Sequence, residues 1–130
     1  MTRVWSLLVA GALVAGRAYA GDTIVLEGVK TEWQNLYGAI VYAATATAHN
    51  TGSTPVRAVK VRLELYDKDG KLVAQHEGYN LSAESLADAP GKVDTIKAIP
   101  PGGADPVRMS IDKREIGHPF RTAKLIVVEP

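Results

Sequence analysis

The chain has 130 residues, of which 46% are hydrophobic and 22% charged, with a formal net charge of +1 and no cysteine. That length and composition suit one domain that buries a core without disulfides or metals, and they exclude a disordered chain. The missing cysteine excludes a disulfide framework, a thiolate metal site and a lipidated cysteine behind a leader, and the near-neutral balance argues against the basic face of a nucleic-acid binder.

Arg3 precedes an apolar run from Val4 to Gly16 that ends in Ala18-Tyr19-Ala20, with small residues at the two positions a signal peptidase reads. The run is too short for a membrane span, so residues 1–20 are expected to be a cleaved secretory signal and residues 21–130 the mature domain, periplasmic or secreted. Loss of Arg3 and Arg17 leaves thirteen basic against fourteen acidic side chains, one net negative charge. With no lipidated cysteine and no second apolar stretch of membrane length, the mature protein is expected to be soluble, with no membrane insertion after cleavage.

In the mature chain, Thr23 to Val29 is β-branched and reads as a strand. Lys30 to Leu36 is polar around Trp33 and is expected to be a connection. From Ala39 to His49, Ala44, Ala46 and Ala48 alternate with Thr45, Thr47 and His49; the period of two outweighs alanine's helical preference and predicts a strand. Asn50 to Pro55 is a cluster of turn formers. The clearest pattern follows, with Val59, Val61, Leu63 and Leu65 on one face and Lys60, Arg62, Glu64 and Tyr66 on the other. Asp67-Lys68-Asp69-Gly70 supplies a turn and Leu72 to His76 the returning strand of a hairpin.

Leu81 to Ala89 is expected to form a turn or two of helix over the sandwich end. Lys92 to Ile99 reads as another strand and Pro100 to Gly103 as a rigid turn. Val107, Met109 and Ile111 alternate with polar residues in the next strand, and Thr122 to Val128 is the last. About seven strands, spaced roughly ten residues apart with no βαβ rhythm, predict an all-β antiparallel sandwich.

Ala46-Thr47-Ala48-His49-Asn50-Thr51-Gly52-Ser53, then Leu63-Glu64-Leu65-Tyr66-Asp67, the Gly70 hairpin and Ile99-Pro100-Pro101-Gly102 resemble bacterial FxLYD domains, with Leu63 in the phenylalanine position. The resemblance covers roughly residues 38–112. It implies an immunoglobulin-like extracytoplasmic sandwich and brings no shared catalytic residues with it.

Neither a Gly-x-Ser-x-Gly elbow nor any other arrangement of nucleophile and base is legible, so no catalytic residue is assigned and the protein is expected not to be an enzyme. Three histidines, His49, His76 and His118, with Met109, would make a zinc or copper site if they converged, although their spacing matches no ligand motif. Asp67 to Gly70 mimics the start of a calcium loop but lacks the later acidic ligand, so a hairpin turn is the better reading. No metal or cofactor is therefore assigned. Trp33 and Tyr37 are the candidate binding residues, set against the alternative that Trp33 plugs the sandwich end; Tyr79 and Phe120 share that ambiguity. The sequence thus predicts an exported, non-catalytic interaction or structural module with a protein partner in the cell envelope. The competing reading is a periplasmic metal-binding protein using His and Met ligands.

Overall fold

The computed structural model describes residues 23–129. The signal segment expected at residues 1–20 lies outside that range. Six strands are present among the described residues: β1 (Ile24–Leu36), β2 (Ala39–Asn50), β3 (Lys60–Tyr66), β4 (Leu72–Tyr79), β5 (Ala104–Asp112) and β6 (Thr122–Glu129). They form two three-stranded antiparallel sheets, ordered β1-β2-β5 and β4-β3-β6. Pairing of β2 with β5 and of β3 with β6 places sequence-distant strands side by side, as in an immunoglobulin-like sandwich.

The facing surfaces bury Leu26, Tyr42, Leu63, Leu65, Ile111 and Leu125 almost completely. A fully buried aliphatic side chain of this size contributes about 1.5–3 kcal/mol. Ala44, Ala46 and Ala48 point inward from β2 as their alternation predicts, and the larger residues of the facing strands fill the space they leave. Gly78 on β4 is where the Met109 thioether closes in: a β-carbon there would stand 2.8 Å from the sulfur.

The outer face of the second sheet is more ordered than a simple solvated face. Glu64 is buried, its Oε1 accepting from the Tyr66 hydroxyl at 2.6 Å and its Oε2 from the Arg62 Nε at 2.8 Å. Arg62 also donates to Glu77 across the β3–β4 ladder at 3.1 Å. Burial, followed by the Glu64 carboxylate beside it, pushes the Tyr66 phenol up to about 12. The same stretch explains the Leu-x-Leu-Tyr-Asp sequence physically: Leu63 and Leu65 enter the core, Tyr66 ties down Glu64, and Asp67 Oδ1 accepts the Asp69 and Lys71 amides that close the hairpin turn.

Two of the expected elements are different in the structure. Residues 30–36 are no connection but the second half of β1. At Gly28, with φ of +63°, the ladder shifts register between Glu27 and Lys30, a bulge in which glycine adopts a backbone that other residues resist. The extra residue reverses the alternation, so that Leu26 is followed inward by Val29 and Thr31. Residues 92–99 are no strand either. Pro90–Thr95 winds into 3₁₀ turns, and only Ile99 pairs, in an isolated bridge with Val56. Without a partner strand, β-branched alternation in this stretch serves to place Ile96 on Ala83 and Leu86 of the 3₁₀ segment Leu81–Ala87, closing one end of the sandwich as a second apolar cluster. The strand count is accordingly six among the described residues, where about seven were expected.

Candidate functional site

The two ends of the sandwich are built differently. At the base, where Ile24 pairs with Asn50 and Lys60 with Glu129, two buried asparagines hold the long connections. The Asn50 amide donates to the Thr54 and Ile99 carbonyls, both at 2.9 Å, and its Oδ1 accepts from the Gly52 N–H. The Asn80 Oδ1 accepts from the Val59 N–H, and its Nδ2 donates to Asp105. Asp105 also takes the Ser82 amide and hydroxyl. Burial works against its ionisation, but the Ser82 and Asn80 donors outweigh it and hold the carboxyl below the usual range. Polar groups at the base are thus turned inward and satisfied.

The tip is apolar and open. Leu36 and Ala39 are register partners, so Tyr37 and Gly38 form a two-residue hairpin connection with φ of +54° and +93°. Positive φ at both central positions is the pattern of a type I′ turn, whose first site favours Asn, Asp or Gly. Tyrosine is a poor occupant, because its Cβ crowds the backbone in this region. The Asn35 Oδ1 holds the turn by accepting the Gly38 N–H at 2.9 Å. Tyr37 is fully exposed.

Trp33 lies on β1, not in a loop, and is 41% exposed. Its indole meets the Tyr42 ring with centroids 5.1 Å apart and the Phe120 ring at 5.9 Å, while Tyr42 and Phe120 stand 4.8 Å apart. The Tyr42 hydroxyl donates to Thr31 at 2.8 Å; burial raises this phenol, against the Thr31 contact. Trp33 thus packs on Tyr42 and Phe120 at the edge of the core and leaves part of its surface to solvent.

Two adjoining hollows open beside these rings and share His118, Pro119 and Phe120. The larger, about 820 Å³, runs under the β3–β4 turn along Lys68, Lys71, Leu72 and Arg121. The smaller, about 360 Å³, reaches Trp33, Lys113 and Ile116. Leu36 and Leu72 add exposed apolar surface at the same end. Sequence reasoning missed the walls of this groove. The Pro119-Phe120 pair between two strands was its one visible trace, and the cations on the hairpin turn gave no separate signal.

The structure does not bring the three histidines together. His49 sits at the base, donating from Nε2 to the Gly102 carbonyl with Glu27 3.5 Å from Nδ1. His76 on β4 donates to the Ser110 carbonyl, and His118 lines the tip groove. Met109 packs in the core against Gly78. Among the described residues no three His, Cys, Asp or Glu side chains are grouped to hold a metal ion, and no helix is long and apolar enough to cross a membrane.

Residues 22–119 match the family model described as a protein of unknown function, DUF3426. The chain belongs to this family. That assignment, which covers most of the sandwich, leaves the FxLYD resemblance without separate support. No curated protein matches the chain. Among solved structures it is similar to a candidate beta-galactosidase from Bacteroides fragilis, at 12% identity over 77% of this chain and 15% of the other, with a TM-score of 0.42. A beta-glucuronidase from glycoside hydrolase family 2 is similar at 12% identity over 75% and 10%, with the same TM-score. The chain thus spans 15% and 10% of the length of those proteins, and likeness at this level carries nothing about activity.

Proposed function

We propose that this member of the DUF3426 family is an exported, non-catalytic interaction module of the cell envelope, which engages a protein partner through the tip of its sandwich. The observation that carries this reading is Tyr37. A fully exposed tyrosine occupies a left-handed turn position that other residues fill at lower cost, and strain of this kind is kept where the side chain has work to do. Trp33, Leu36 and Leu72 extend the exposed apolar surface around it, and aromatic anchors of this kind dominate protein interfaces. Export rests on the leader-like first twenty residues.

Site-specific photo-crosslinking in intact cells tests this. A crosslinking amino acid at Tyr37 or Leu72 should capture one discrete partner, whereas the same group at Val93, exposed near the base, should not. Equal capture from all three positions, or from none, refutes the reading. Cell fractionation before crosslinking checks the export part independently.

A further inference from the structure

The geometry points to the chemistry of the occupant: the tip groove takes an acidic linear peptide segment carrying one large apolar side chain, an inference that rests on the interaction reading above. The groove has an apolar floor and a cationic wall. Leu72, Val73, Pro119 and Phe120 form the floor of the larger hollow. Its size falls in the range of roughly 300–1,000 Å³ typical of ligand pockets, enough for an aromatic side chain and the backbone on either side. Continuity through His118, Pro119 and Phe120 to the Trp33 hollow gives the path a length suited to an extended segment.

The wall selects for charge. Lys68, Lys71 and Arg121 line the groove, and none of them has an ion-pair partner among the described residues. Of the two acids in the same lining, Asp67 is turned into the hairpin, its Oδ1 taken by the Asp69 and Lys71 amides. The Lys71 amide, first, and then that of Asp69 hold the Asp67 carboxyl below its usual range, and the Lys71 and Lys68 charges act in the same direction. Lys68, Lys71 and Arg121 set against Asp67 and Asp69 still leave the lining with a net positive charge. Lys113 carries the positive lining on to the Trp33 end. Complementary charge at such a rim steers encounter and sets register, while the apolar floor supplies the anchor. A flat lipid surface fits less well, because the apolar side chains of the floor lie in a concavity between the hairpin turn and the β5–β6 connection.

Fluorescence anisotropy with the full chain tests this against four probes: an eight-residue Glu/Asp peptide with a central Trp, the same peptide with Ala for Trp, the same peptide with Lys for each acid, and phosphatidylglycerol vesicles. The acidic Trp peptide should bind, weaken with added salt, and bind about tenfold more weakly to a Lys68→Glu/Lys71→Glu protein. Both side chains are exposed, so that variant should still fold, and Lys68→Gln/Lys71→Gln, which sets no like charge beside Asp67, should also bind more weakly. Equal binding of the Lys peptide, no effect of the double substitution, or binding of vesicles without the acidic peptide overturns the inference. Crosslinking from Tyr37 separates the two failures: a partner captured there while acidic peptides fail leaves the interaction reading standing and removes only the partner class.

Discussion

Trp33 and Tyr42 are direct register partners on the β1–β2 ladder, and their rings meet edge to face with centroids 5.1 Å apart at 65°. The pair joins the solvent side of the tip to the core, because Tyr42 is fully buried and Trp33 is not. Trp33→Ala should lower stability by about 1–2 kcal/mol, less than for a fully buried aromatic. Urea denaturation followed by circular dichroism measures the loss. Trp33→Phe, which keeps a ring against Tyr42, should recover most of it.

Asp105 makes the base sensitive to acid. Its carboxyl is held below the ordinary range in the folded protein, so it stabilises the fold above the unfolded-state value near ~3.9, and that contribution disappears as pH falls through the depressed folded value. Asp105→Asn should cost about 1–2 kcal/mol at pH 7, through the weakened Ser82 and Asn80 hydrogen bonds. Its disadvantage should shrink steadily below about pH 4. Thermal denaturation of both proteins between pH 7 and pH 2.5 checks the direction; a gap that widened in acid would contradict it.

Asn50 presents two donors to carbonyls and one acceptor to an amide from a fully buried position. Asn50→Ala should destabilise by about 1–3 kcal/mol by removing the donor to the Thr54 and Ile99 carbonyls and the acceptor of the Gly52 N–H, although Ile99 keeps its bond from the Val56 N–H. Asn50→Asp should be worse at neutral pH, since it sets an anion against two carbonyl oxygens, and should improve on acidification as the carboxyl regains a proton to donate. The opposite ranking at pH 7 would show that water satisfies this site.

The sandwich was legible wherever burial is one-sided. Val59 to Leu65 and Val107 to Ile111 alternate because one face meets the core, and the structure keeps those inward faces as read, while on the outer face of β3 Glu64 is buried under Arg62 and Tyr66. Two physical effects hid the rest. The Gly28 bulge reverses the inward face of β1, and the next inward residue, Thr31, is polar because it receives the Tyr42 hydroxyl, so a real strand looked like a polar linker. Residues 92–99 had the right pattern and no neighbouring strand, and a strand without a partner gains nothing from β propensity. For the site, Trp33 and Tyr37 could be named from the sequence, but their meeting with Phe120 and with the cations of the β3–β4 turn depends on two sheets packing, which no local pattern encodes.

Tyr37 tests the central claim most directly. Tyr37→Asn places at the first turn position a residue that accepts positive φ, so it should raise stability by about 1 kcal/mol and the melting temperature by about 4 °C. The same substitution removes the exposed ring. With a crosslinking amino acid at Leu72 in both proteins, partner capture in intact cells should fall sharply for Tyr37→Asn although that protein melts higher. Undiminished capture by the stabilised variant would contradict a binding role for the tip.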